Sequence, residues 1–216
     1  MNYLTLVNNV LRRIREDEIT TINQSPYAAL IGDLVNDAKT SVEHSWDWTA
    51  LRTTVTITTT AGVNEYTLTG FGSDFKYLKF LDNTNGATIE YQAKDWIDIQ
   101  NNIADTPLQG TPTYFSYTNA DSNGDMKIVL YPTPAAAYTL KFYGVVRQAP
   151  LALSTDVIKV PWAPVMHLAV AFASRERGET GGTGTAEYLA ISNKYLAEAI
   201  ALDAAYHPEE TIFRVV

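Results

Sequence analysis

The spacing of apolar residues changes twice along this chain, from a helical period to a strand period near Leu51 and back again near Pro161. Tyr3, Val7, Val10, Leu11 and Ile14 recur at three- and four-residue steps and predict a first helix, with Arg12, Arg13, Arg15 and Glu16 off its apolar stripe. Ser25-Pro26 offers an N-cap followed by proline at the first helical position. Leu30, Ile31, Leu34, Val35, Ala38 and Val42 then carry a second helix to about Trp46, and the short linker predicts an antiparallel pair.

From Leu51 the period becomes two. Val55, Ile57 and Thr59 alternate with Thr54, Thr56 and Thr58, and β-branching disfavours helix. Turn chemistry at Ala61-Gly62 and Asn64 precedes Tyr66 and Leu68, and further strands are predicted at 75–81, 87–92, 113–118, 126–131 and 138–145. Asp121-Ser122-Asn123-Gly124-Asp125 reads as a hairpin turn, and a short helix is predicted from Lys94-Asp95 to about Asn101. Helical spacing resumes at Pro161-Trp162, with Val165, Leu168, Ala169 and Phe172 on one side, and a last helix over about 185–205 places Leu189, Leu196 and Ile200 together. His207-Pro208 ends it.

The order is helices, strands, helices, which predicts an α+β fold. Neither pair of helices buries its apolar face alone. The simplest packing joins 1–50 with 159–216 as one helical bundle, with 51–158 inserted as an antiparallel β sandwich or barrel.

The composition narrows the chemistry. There is no cysteine among 216 residues, which excludes disulfides, thiolate catalysis and the common zinc and iron-sulfur sites. The formal charge of −8 opposes tight wrapping of a DNA backbone. The N-terminus lacks a signal-peptide pattern and no apolar run approaches the roughly 20 residues of a membrane span, so a soluble cytosolic product is expected.

His44, His167 and His207 fall at helical positions without metal-binding spacing. Asp95 and Asp98 read as the solvated face of a short helix. Asp121, Asn123 and Asp125 have the alternate spacing of a calcium loop, but Met126 and Pro132 stand where such a loop needs glycine and glutamate. The glycine-rich stretch 178–184 lacks the lysine of a phosphate loop. No cofactor is implied, and no nucleophile with a base and an orienting acid can be assembled. Trp46 and Trp48 at the helix-to-strand junction are either packing residues or interface anchors.

The layout resembles the head-to-tail adaptor of short-tailed phages, the tail tubular protein A family. The resemblance rests on the opening Leu4 to Ile14, on the Ser25-Pro26 helix running to Ser45-Trp46-Asp47-Trp48, and on the switch to Val55-Thr56-Ile57. Tyr66-Thr67-Leu68-Thr69 stands where the family has a Tyr-x-Leu-Pro-like phrase, with Thr69 replacing proline and Ser45 replacing the usual glycine before tryptophan. Lys127-Ile128-Val129-Leu130-Tyr131-Pro132, the strand from Tyr138 to Gly144, and the helix carrying Ala169, Ala171, Ala173 and Ser174-Arg175 extend the likeness over nearly the whole chain.

The resemblance implies a structural virion protein and not an enzyme, made in the host cytoplasm and placed at the head-to-tail interface. Its relatives form a ring of twelve beneath the portal, extend the channel through which genomic DNA passes during ejection, and carry the tail nozzle and in some cases tail fibres. The helical segments would then be the ring-forming part. Candidate assembly contacts are Trp46, Trp48 and the apolar end Ile212, Phe213, Val215 and Val216, with 178–184 and 208–216 expected to order on assembly. Competing readings are a neck or head-completion protein of a longer-tailed phage, a carbohydrate or peptide binding module, and an enzyme.

Overall fold

The computed structural model describes residues 1–103, 107–178 and 183–206. Among them the fold is α+β, and the chain divides into two units: 1–51 with 147–216, and 52–146.

In the first unit, α1 (Tyr3–Arg13) is capped by the Asn2 side chain, which accepts from Thr5 N at 2.8 Å. It buries Tyr3, Leu6, Val7, Val10 and Leu11, which adds Leu6 to the predicted stripe and leaves Ile14 half-buried at the C-cap. The helix α2 (Pro26–Ser45) starts at the predicted cap, where Ser25 Oγ accepts from Ala28 N at 3.1 Å. Near the chain's other end, α4 (Trp162–Glu176) is buried on nearly every side and packs against α1, α2 and α5 (Thr183–Ala204). No helix among the described residues is long and apolar enough to cross a membrane.

The segment after residue 146 belongs with these helices, earlier than the expected return at 159. Side-chain bonds hold it there. Lys39 Nζ donates to Gln148 O at 2.7 Å, while Asn36 accepts from Leu151 N at 2.8 Å and donates to Leu151 O at 3.0 Å. Tyr3 N also donates to Asp156 O at 2.8 Å. Polar contacts of this kind leave no periodic trace in sequence.

Among its described residues the second unit holds ten short strands. These are β1 (Arg52–Thr58), β2 (Glu65–Thr67), β3 (Phe75–Asp82), β4 (Ala87–Thr88), β5 (Glu90–Tyr91), β6 (Gln109–Gly110), β7 (Tyr114–Ala120), β8 (Met126–Tyr131), β9 (Thr133–Pro134) and β10 (Thr139–Val146). One sheet has the order β1-β10-β3-β4, a second β2-β8-β7-β5, and β6 pairs with β9. The expected wholly antiparallel arrangement is corrected at two places, because β5–β7 and β6–β9 are parallel. The cause at β7 is α3 (Lys94–Ile103), which lies between β5 and β7 in sequence and packs on β7. A helical crossover returns the chain in the same direction, as a tight hairpin cannot.

One core draws on both four-stranded sheets through Ile57, Phe80, Phe115, Leu130 and Phe142. The run at β8 is buried on two faces: Ile128 and Leu130 enter this core, whereas Val129 and Tyr131 pack with Ile97 and Trp96 of α3.

Candidate functional site

The two carboxylates of the Asp121–Asp125 turn are taken up by backbone N–H groups, one set in the turn and one in the loop at Gly70. Asp121 Oδ1 accepts from Asn123 N and Asp125 N, and Gly124 takes the left-handed φ of 85° that glycine tolerates. Asp125 accepts from Gly70 N at 3.0 Å and Gly72 N at 2.8 Å, and these bonds hold its carboxyl below the ordinary range. Asp98 pairs with Lys94 one turn away at 2.6 Å. Among the described residues no cluster of three His, Asp or Glu could hold a metal. A depression of about 450 Å³ lies beside Phe75, Tyr77 and Tyr117, and the same rings pack inward against Phe142.

His207 and residues 179–182 lie outside the described residues, as do the candidate contacts Ile212, Phe213, Val215 and Val216. His44 is exposed near the end of α2. His167 on α4 is half-buried and stacks on Tyr195 of α5, with ring centroids 5.2 Å apart and planes at 11°. Burial first, and the Arg13 charge second, push its pKa below 6.5. The folded state thus favours neutral imidazole, and the unfolded chain binds more protons in the window below 6.5. Stability is therefore expected to be complete above 6.5 and to fall as the pH drops through it. Thermal melts on either side of 6.5 should show this decline, and His167→Gln should reduce it.

The two tryptophans part company. Trp48 is 2% exposed and donates to Val42 O at 2.8 Å, so its indole is packed almost wholly within the chain. Trp46 is exposed, and its Nε1 donates to Asp203 Oδ2 at 3.0 Å. Asp203 also accepts from Thr49 N and Thr49 Oγ1, which ties the end of α5 to the turn after α2. A groove of about 320 Å³ beside this junction is lined by Trp48, Trp162, Leu202 and Tyr206, among others.

The helix α5 packs on α4 along one side and leaves much of its remaining surface exposed. Its sequence is apolar around much of its circumference, a pattern that normally marks a helix enclosed on all sides. Yet among its described residues only Ser192 is buried, and Ser192 Oγ donates to Pro164 O at 2.9 Å. Leu189 is 44% exposed and Leu202 63%, while Ala190 and Ala197 are exposed on the side away from Ser192. Leu189, Leu196 and Ile200 share one side of α5 with Ser192, as the helical repeat requires, but only Leu196 and Ile200 are half-buried there while Leu189 is exposed. Burial against α4 also runs through small residues on that side, including Ser192 and Ala199, which an apolar stripe does not pick out.

The chain matches the family model described as SU10 adaptor protein over residues 1–210. No curated protein matches it.

Proposed function

The chain belongs to the SU10 adaptor protein family, a phage head-to-tail adaptor family, and on that premise we propose that it forms a ring of twelve copies beneath the portal. The ring extends the DNA channel and anchors the tail nozzle, with tail fibres as a further attachment. The family is one of structural adaptors, and the chain is a virion component. In this reading the helices from both chain ends form the ring-making bundle, and the two four-stranded sheets form a β sandwich inserted into it.

The observation that carries the proposal is the exposed apolar surface of α5. A ring of identical subunits needs a contact between unlike faces that closes by rotation. An apolar helix packed on one side supplies half of such a contact, and burying its outer side against a second copy removes that surface from water. Trp46, held by Asp203 at the end of the same helix, is the tryptophan placed to join this contact.

The test is electron microscopy of the purified protein alone and mixed with portal rings. A cyclic layer coaxial with the portal is expected, and persistent monomers without portal affinity would overturn the reading. Ala190→Glu combined with Ala197→Glu should abolish the ring while changing monomer stability by no more than about 0.5 kcal/mol, because both positions are exposed and glutamate is a good helix former. Sedimentation and thermal melting of the pair separate the two effects.

A further inference from the structure

The net charge of −8 conceals a basic cluster where the C-terminal ends of α1 and α4 meet. Arg12, Arg13 and Arg15 come from one end and Arg175 and Arg177 from the other, five of the chain's eight arginines. A pocket of about 450 Å³ opens among them, lined by Arg13, Ile14, Arg15, Ser174, Arg177 and Tyr188. No carboxylate is among its lining residues, although Glu16 pairs from behind with the Arg177 guanidinium on its wall.

The arginines are not equally occupied. Arg177 donates to Ile14 O at 2.7 Å and to Glu16 Oε1 at 2.9 Å, which fixes its guanidinium at the pocket wall. Arg13 donates to Asn9 O at 3.2 Å. Arg15 makes no side-chain hydrogen bond or ion pair with any described residue. Its backbone, however, stands at φ 61°, the one non-glycine residue with positive φ among those described.

The reason for that φ is the ending of α1. Glu16 N donates to Leu11 O at 3.0 Å and Arg15 N to Arg12 O at 3.3 Å, the double bond pattern whose turning residue is usually glycine. An arginine there carries a steric penalty that glycine would not. A strained position occupied by an exposed, unpartnered cation points to a role for its side chain.

We infer that the Arg13, Arg15 and Arg177 pocket binds phosphate groups of a DNA backbone, giving an otherwise repelling subunit one local point of grip. Guanidinium forks match phosphate oxygens in paired hydrogen bonds. Three cations converging on one pocket call for a closely spaced line of anions. Duplex DNA carries one charge per roughly 1.7 Å of axis, which a protein surface rarely matches with carboxylates. The choice of DNA as the polyanion rests on the channel reading above; the pocket itself does not.

The test is fluorescence anisotropy of the full chain with a labelled duplex of random sequence, across a salt series. Three phosphate contacts predict a log–log salt slope of about −2.7. Arg15→Gly should lessen that slope by about 0.9 and weaken binding about eightfold near 0.1 M salt, while raising the melting temperature by about 2–4 °C through release of the left-handed strain. Arg15→Lys keeps the charge and should retain the parent's salt slope, while binding less tightly than the parent and more tightly than Arg15→Gly, because the paired hydrogen bonds of the guanidinium are lost. Salt-independent or absent DNA binding, or an Arg15→Gly variant with unchanged affinity, would overturn the inference. So would an Arg15→Gly variant that loses self-association and keeps DNA affinity, since the pocket would then serve a protein partner. Ring formation on portals is read separately, so failure here leaves the adaptor proposal standing, and the reverse also holds.

Discussion

Replacing Glu43 with alanine is expected to destabilise the helical unit by about 3–5 kcal/mol. Lys39 and Glu43 lie one turn apart on α2, with Nζ and Oε1 3.1 Å apart and both side chains 1% exposed. Removing the carboxylate leaves an ammonium ion buried with Gln148 O, at 2.7 Å, as its remaining partner among the described residues. The cost comes from that uncompensated charge rather than from the lost attraction, because desolvation offsets most of what an intact buried pair contributes. Lys39→Met combined with Glu43→Leu should therefore recover most of the loss. Chemical denaturation of the single and double variants checks this. A double variant as unstable as the single one would show that Gln148 O and its segment depend on the lysine itself.

Phe142→Ala should cost the strand unit a similar amount, about 3–5 kcal/mol. Phe142 on β10 is fully buried, and its ring lies 5.3–5.4 Å from those of Phe71, Tyr77 and Phe80. Phe75 and Phe115 follow at 5.9 Å. Most of these contacts are edge-on, the arrangement that aromatic quadrupoles favour. Truncation removes transfer energy and leaves a cavity that the surrounding rings, held by β3, β7 and the loop at Phe71, can only partly close. Phe142→Leu keeps much of the volume and should lose clearly less. Denaturant midpoints of the two variants measure the difference.

Most of the helices and strands were legible because each buries one face and repeats at its own period. The Ser25-Pro26 start of α2, the exact span of β8 and the turn at Asp121 to Asp125 follow from local chemistry. Leu6 escaped the α1 stripe because apolar residues at neighbouring steps can share one buried face. Lys39 and Glu43 escaped for a different reason: charged residues beside Ala38 and Val42 read as a solvated edge, and only the carbonyl at Gln148 makes burial of the lysine tolerable.

The candidate site was legible in part. The aromatic junction after α2 was visible, but Trp46 and Trp48 look alike in sequence, and their opposite exposures depend on what lies over each. The side of α5 that carries Leu196 and Ile200 was also visible, whereas the exposure of the remaining apolar residues, Ile191 and Leu202 among them, was not, since a helix apolar around its circumference normally reads as enclosed. The arginine pocket joins residues 13 and 177, whose proximity no local pattern encodes.

By itself, then, the sequence determined the kinds of elements, their order and the return to helix near the chain's end, because period and turn chemistry act over a few residues. The tertiary structure decided partnership: Asn36 with Leu151 across 115 residues, Trp46 with Asp203 across 157, and the parallel seat of β7 beside β5. Those pairings depend on which buried polar groups and shaped surfaces satisfy one another at a distance along the chain, and a one-dimensional pattern of apolar residues carries no record of that choice.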